Sequence, residues 1–113
     1  MAIRELTGTG LPGVSYVGDT ESVAIAGVSN VYLINHGQFP TVTVVPETGG
    51  SAKVQTTLSA HSVIEAGLAV WEDWRYGIIT DASTDVTDTL VGQVSGLRLS
   101  PPAGAAVAWT VVG

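Results

Sequence analysis

The sequence contains no cysteine and has few charged side chains for its length. Without cysteine the chain can form neither a disulfide framework nor a cysteine-ligated zinc site, so packing alone must stabilise the fold. Charged residues make up 12% of the 113 residues, about half the usual share of about 25% in soluble domains. Hydrophobic residues make up 45%, and the mean hydropathy is +0.37. We expect part of the surface to be covered by partners; the alternative is a threonine-rich β-domain with an ordinary, weakly charged surface.

Basic residues are the scarcest charged class, with four Lys and Arg against ten Asp and Glu and a net charge of −6. Such a chain repels a phosphate backbone, and it has no basic cluster to bind one, so we expect no nucleic-acid partner. The longest charge-free stretch, residues 22–46, is interrupted by Gly, Asn, Gln and Pro. It predicts strands and no membrane span. The first eleven residues lack the apolar run of a secretory signal.

Beyond residue 20, apolar and polar residues alternate with a period of two in short bursts that are separated by turn residues. This pattern is typical of strands with one buried face. The predicted strands are residues 22–26, 31–34, 41–45, 53–58, 69–74, 77–80, 87–91, 96–99 and 106–112. Residues 59–67 could hold a helical turn, capped by Ser62 and ended by Gly67, that is too short to organise a core. The predicted fold class is an all-β antiparallel sandwich or jelly roll of about eight strands.

Glycine and threonine dominate the first twenty residues, and the glycines are spaced too closely for a regular element to form. We therefore predict an extended N-terminal arm at residues 1–20 and a β-sandwich domain at residues 21–113.

No constellation of residues in the sequence predicts catalysis. His36 and His61 are the two histidines, and each lies in a loop-like segment where a solvated or locally hydrogen-bonded imidazole is expected. Three carboxylates lie close together in the sequence, those of Asp81, Asp85 and Asp88. We expect these side chains to form turns by hydrogen bonding to nearby backbone groups, and we favour this over binding of a structural cation. We expect no enzyme activity, no cofactor and no metal.

Adjacent carboxylates at Glu72 and Asp73 would point to opposite faces of a strand, which disfavours a paired acid and base. Close by lies an aromatic cluster of Trp71, Trp74 and Tyr76. In an extended strand the two tryptophans face opposite sides, which predicts one in the core and one near a surface or subunit contact. A sugar-stacking platform is the alternative.

Four segments carry a resemblance to a known class of protein: VQTTLS at 54–59, VWEDW at 70–74 with Gly77 after it, LVGQVSGLRL at 90–99, and GAAVAWTVV at 104–112. Over about the last sixty residues the chain resembles small virion structural proteins of tailed bacteriophages, of the capsid decoration or cement type. The resemblance implies a β-sandwich or jelly roll in which Trp71, Trp74 and Arg98 have structural roles.

The same resemblance implies a protein that is made in the host cytoplasm and sits on the capsid exterior. It implies two partners, which are copies of the chain itself, as a homotrimer, and the major capsid protein. We expect residues 1–18 to contact the capsid or a neighbouring copy, as a strand added to an open edge does. Alternatives are a receptor- or glycan-binding module of a tail tip or adhesin, and a head–tail or tail component. The residues predicted to make contacts are Leu6, Leu11, Val14, Tyr16, Trp71, Trp74, Tyr76 and Arg98.

Overall fold

The computed structural model describes residues 3–5, 18–74, 82–90 and 92–112, and this part of the chain is almost entirely β-structure. It contains one helix, α1 (His61–Glu65). The strands are β1 (Ile3–Glu5), β2 (Gly18–Val23), β3 (Val31–Leu33), β4 (Thr41–Pro46), β5 (Val54–Thr57), β6 (Glu72–Asp73), β7 (Val86–Thr89), β8 (Gly96–Leu99) and β9 (Val107–Val112).

The strands form two sheets. A five-stranded sheet has the order β1-β3-β8-β5-β6, and a four-stranded sheet has the order β2-β9-β4-β7. Every neighbouring pair is antiparallel except β1 with β3, which is parallel. The inner faces of the sheets pack against each other, as in other β-sandwiches. The predicted all-β sandwich is confirmed.

The core between the sheets follows from strict alternation along the strands. In β9, Val107, Trp109 and Val111 are buried while the residues between them face outward. From the opposite sheet, Leu97 and Leu99 point inward and Arg98 points outward. Packing apolar residues of both sheets into one layer supplies the main stabilising term, about 25 cal/mol for each Å² of apolar surface buried.

The N-terminal region differs from its prediction at two places. Strand β1 pairs with β3, and β2 begins at Gly18 instead of Ser22. The expectation that no regular element forms before residue 20 is therefore wrong at residues 3–5 and 18–20. Residues 6–17, most of the predicted arm, lie outside the described residues, so the arm and the domain boundary at residue 20 stay predictions. The strand predicted at 77–80 also lies outside them, and the one predicted at 69–74 is reduced to β6.

The strand predicted at 53–58 is shorter in the structure, where β5 ends at Thr57. Thr57 is buried, and Leu58 is 78% exposed. The chain leaves the sheet after Thr57, whose hydroxyl accepts a hydrogen bond from the backbone N–H of Ser59 at 3.1 Å. Thr57 does face away from the inner core, but helix α1 covers that outer face.

Helix α1 matches its predicted position but not its predicted cap. The residue before it is Ala60, with no side-chain cap, so the expectation for Ser62 is wrong. Gly67 adopts φ +77°, the left-handed conformation that ends helices, as predicted. Despite its five residues the helix organises a second, smaller core, because Ile64 packs on the outer side of the five-stranded sheet against Val31 and Leu33. In the described ranges there is no helix long and apolar enough to cross a bilayer.

Candidate interaction surfaces

Trp71 and Arg98, two predicted contact residues, meet on the outer face of the five-stranded sheet. The Arg98 guanidinium carbon lies 4.5 Å from the centroid of the Trp71 ring, a cation–π contact. Arg98 also donates from Nε to Oε1 of Gln55 at 2.8 Å. Burial lowers the pKa of the guanidinium from its ordinary value, but an arginine remains charged at neutral pH. One face of the half-buried Trp71 ring is therefore occupied by a side chain of the same protein.

The polar network continues from Gln55 to the edge of the sheet. The amide nitrogen of Gln55 donates to Oδ1 of Asp73 at 3.2 Å, and the Lys53 ammonium lies 3.5 Å from the other carboxylate oxygen of Asp73. The Gln55 hydrogen bond, followed by the charge of Lys53, lowers the pKa of the Asp73 carboxyl. These contacts hold β6 in register against β5.

Trp74 belongs to the core between the sheets. It is 2% exposed, and its indole Nε1 has no hydrogen-bond partner among the described residues. The predicted division, with one tryptophan in the core and its neighbour near the surface, is confirmed. The prediction that Trp74 contacts a partner is wrong, because its side chain is buried in the core and cannot reach another molecule. The other predicted contact residues lie outside the described residues: Leu6, Leu11, Val14, Tyr16 and Tyr76.

The histidines lie at one end of the sandwich. His36 is exposed in a turn closed by a hydrogen bond from the Gln38 N–H to the Asn35 carbonyl at 3.1 Å. The His61 ring places Nε2 2.9 Å from the carbonyl oxygen of Ile34, so this nitrogen is the donor. Both imidazoles border an open cavity of about 330 Å³ whose described lining contains no carboxylate. The hydrogen bond of His61 is therefore not local in the sequence, since it joins α1 to a residue 27 positions earlier.

Among the residues that the structure describes, no group of three or more His, Asp or Glu side chains could hold a metal ion. Asp81 lies outside them. Asp88 makes the local contact expected of it, since its Oδ1 accepts a hydrogen bond from the backbone N–H of Thr89 at 2.9 Å.

The outer face of the four-stranded sheet is a feature that the sequence reasoning missed. One row of threonines crosses all four strands, and hydroxyl pairs at 2.9 and 3.0 Å link Thr20 to Thr110 and Thr43 to Thr87. No residue on this face is charged. We call it the threonine face: Thr20, Ser22, Thr41, Thr43, Val45, Thr87, Thr89, Ala108, Thr110 and Val112. The signal was present as Thr at alternate positions, in TVT at 41–43 and TDT at 87–89.

A second surface lies where the chain enters and leaves α1. Leu58, Leu68 and Val70 are 78%, 74% and 72% exposed, and we call them the apolar loop surface. The backbone N–H of Val70 donates to the Ser59 hydroxyl at 3.2 Å, which brings the two connecting segments together. Leu58 and Val70 line a cavity of about 310 Å³ that also contacts Glu72.

Comparisons with protein-family models, with curated proteins and with solved structures found no match to this chain. The class that the geometry defines is an all-β sandwich.

Proposed function

We propose that the chain is a non-enzymatic virion protein that decorates a phage capsid and stabilises it by bridging neighbouring capsid subunits. The observation that carries the proposal is the threonine face, a broad sheet surface without a charged side chain in a protein whose net charge is −6. The resemblance of residues 54–112 to capsid decoration proteins adds to it.

The chemistry of the threonine face suits burial against protein. Covering a hydrogen-bonded hydroxyl removes less favourable hydration than covering an ionised group. Threonine is stiff at χ1, and the pairing of hydroxyls between Thr41 and Thr89 at 2.9 Å restricts it further. Little side-chain entropy is then lost on contact. Depletion of charge is also the compositional signature of interface centres.

The size of the threonine face favours a repeated contact over a single tight one. Strands about 4.8 Å apart and outward residues about 6.8 Å apart give four strands and three rows a span of about 14 by 14 Å between Cα positions. A stable one-to-one interface buries about 800 Å² on each partner. A face of this size therefore suits a symmetric shell, where each copy makes the same modest contact and tethered contacts reinforce one another.

The proposal includes a homotrimer on the capsid exterior, with the major capsid protein as the second partner. The proposal also includes contact of residues 1–18 with the capsid or a neighbouring copy. Deletion of this segment would be a poor test, because it would also remove β1 from the five-stranded sheet. Serine substitutions at Leu6, Leu11, Val14 and Tyr16 therefore test the arm better than deletion does. They should reduce capsid retention and leave the trimer mass in light scattering unchanged.

The direct test is electron microscopy of tailed-phage capsids assembled with and without the chain. We expect density on the outer shell at boundaries between capsid subunits, and greater resistance of the decorated particle to heat. The double variant Thr43→Lys and Thr110→Lys should lower retention at least tenfold. A matched control adds the same charge at exposed loop positions, Ser83→Lys and Thr84→Lys. Absence of shell density, or equal retention of both double variants, would refute the proposal.

A glycan-binding module receives less support from the described residues. Arg98 lies over one face of Trp71, and Trp71 is also packed against the cluster around Ile64, while Trp74 is buried. Both tryptophans therefore have structural contacts within the chain, which favours a packing role over sugar stacking. A glycan array would separate the two functions, since a decoration protein should bind no sugar on it. A head–tail or tail component would instead assemble with six-fold or twelve-fold symmetry in solution.

A further inference from the structure

We infer that copies of the chain bind one another head to tail, with a turn at one end of the sandwich inserting into a cavity at the other end of the next copy. The turn, residues 24–28, carries Ile25 and Val28, and we call it the apolar turn. The cavity is the one of about 310 Å³ lined by Leu58 and Val70, and we call it the β5–β6 cavity. The inference rests on the proposed function, because it names the contact that would build the homotrimer.

The apolar turn exposes two large aliphatic side chains, since Ile25 is 58% and Val28 is 63% exposed. It lies within the charge-free stretch from residue 22 to residue 46. Single exposed aliphatic side chains are ordinary, but two of them on one tight turn form a small neutral projection. Burying this projection against apolar side chains of a partner is favourable, because it removes apolar surface from water.

The rest of the fold holds the apolar turn in one conformation. The Gly27 N–H donates to the Ala24 carbonyl at 2.8 Å, and the Ala26 N–H donates to the Pro102 carbonyl at 2.9 Å. Ala26 has φ +58°, a left-handed conformation that glycine usually adopts at this position of a turn. Such backbone strain persists only where the surrounding structure imposes it, and it is common at binding sites. An ordered projection loses little entropy when a partner covers it.

The β5–β6 cavity provides a concave surface of suitable size and chemistry. Its volume is near the lower limit of ligand pockets, about 300 Å³, which suits one or two aliphatic side chains. The backbone N–H of Val70 donates to the Ser59 hydroxyl at 3.2 Å, which ties together the two segments that form its walls. Glu72 also lines the cavity, but it already has an interaction within the chain, so the cavity needs no basic partner.

The apolar turn and the β5–β6 cavity lie at opposite ends of the sandwich. Ser29, just after the turn, accepts a hydrogen bond from the Leu99 N–H at 2.9 Å, at one end of β8. Leu58 follows Thr57, which pairs with Gly96 at the other end of β8. A contact between the turn and the cavity therefore requires a second copy of the chain.

A second copy satisfies both features at once. Each copy carries one projection and one cavity, so the contact is heterologous, and such contacts form a closed ring where the rotation between copies allows it. Copies with a net charge of −6 repel one another, and contact through uncharged side chains limits this repulsion. The contact also leaves the threonine face free for the capsid, because the turn and the cavity include none of its residues.

Disulfide crosslinking tests the contact directly, since the chain has no cysteine of its own. Two single variants, Ile25→Cys and Val70→Cys, are oxidised mildly, each alone and as an equimolar mixture, and the products are separated without reductant. The mixture should give a disulfide-linked pair of chains. Each variant alone should remain a single chain, because identical ends do not meet in a head-to-tail contact.

Light scattering of matched variants locates the contact. The wild type should have the mass of three chains, whereas Ile25→Ser with Val28→Ser, or Leu58→Ser with Val70→Ser, should have the mass of one. An equimolar mixture of the two double variants should stop at two chains, because its one intact contact leaves a mutated turn and a mutated cavity at the ends. The control is Leu68→Ser, which removes a side chain that is 74% exposed but does not line the cavity. It should keep the wild-type mass.

Three results would overturn the inference: no crosslink in the mixture, a wild type that stays monomeric at the highest concentration it reaches, or a trimer that survives in either double variant. The outcomes for the proposed function are separate. If capsids retain the chain but a double variant keeps the trimer mass, the contact is wrong and the function stands. If the mixture crosslinks but capsids do not retain the chain, the function is wrong and the contact stands.

Discussion

The outer faces of the two sheets of this sandwich differ in what covers them. The outer side of the five-stranded sheet is covered by α1 and the residues after it, so β3 is buried on both faces and a second core forms around Ile64. The outer side of the four-stranded sheet is the threonine face, with hydroxyls paired across the strands. One sheet therefore gains stability from an added apolar layer, whereas the other keeps a neutral face available for contacts.

The largest expected effect tests the covered face. Ile64→Ala should lower the free energy of unfolding by about 2–5 kcal/mol, because it leaves a cavity under α1. The matched control is Val63→Ala, next to it on the same helix but partly exposed, which should lose less than about 1 kcal/mol. Urea unfolding measures both. Equal losses would mean that α1 does not form a core with the sheet.

A second prediction concerns the place where a strand of the five-stranded sheet meets the edge of the other sheet. The Tyr32 hydroxyl donates to Oδ2 of Asp19 at 2.9 Å. Burial, and then this hydrogen bond, raise the pKa of Tyr32 well above its ordinary value of 10. The folded state holds the Tyr32 proton more tightly than the unfolded state does. The stabilisation by the protonated tyrosine is therefore complete below pH 10 and is lost as the pH rises above 10.

The loss should reach about 1.4 kcal/mol for each pH unit above 10 until the folded-state pKa is reached. The free energy of unfolding measured from pH 9 to pH 12 checks it, with Tyr32→Phe as the reference. The variant should show a shallower alkaline decline than the wild type. Parallel curves would show that Tyr32 does not carry the effect.

A third prediction compares the two buried tryptophans. Trp109, in the four-stranded sheet, donates from Nε1 to Oε1 of Glu21 at 2.9 Å, whereas Trp74, which follows β6, has no partner for Nε1 among the described residues. Phenylalanine removes the indole from either site, but only at 109 does it also remove a charge-assisted hydrogen bond. Trp109→Phe should therefore be more destabilising than Trp74→Phe by about 1–3 kcal/mol. Thermal unfolding of the two variants measures the difference.

The smallest effect is expected on the threonine face. Thr43→Ala and Thr87→Ala should each lower the free energy of unfolding by about 0.2–1 kcal/mol, and a double-mutant cycle should give a coupling within the same range. The pair is exposed, so water can replace either hydroxyl. A loss as large as that of Ile64→Ala would mean that the two faces do not differ as described.

Most strands could be predicted because alternation between apolar and polar residues records which face of a strand is buried. Strand β8 has its predicted bounds, and β3 and β4 differ from theirs by one residue. Elements that depend on distant residues were missed. Strand β1 exists because it pairs with β3, and Ile64 is buried because a sheet lies beneath it, and neither cause is visible in the local sequence.

The candidate surfaces divide in the same way. The sequence predicted that one of Trp71 and Trp74 is buried, because residues three positions apart in a strand point to opposite faces of the sheet. The sequence could not show that Arg98 stacks on Trp71, since that contact needs β8 and the segment before β6 to lie side by side. Nor could it show the threonine face, which becomes a surface only when strands from distant parts of the chain are placed in register.

The neutrality of the threonine face has a consequence for any molecule that packs against it. None of its side chains gains or loses a proton between mild acid and mild base, and none attracts a cloud of counterions. An association made there would keep nearly the same strength in dilute buffer and in concentrated brine, whereas contacts made of ion pairs weaken as salt is added.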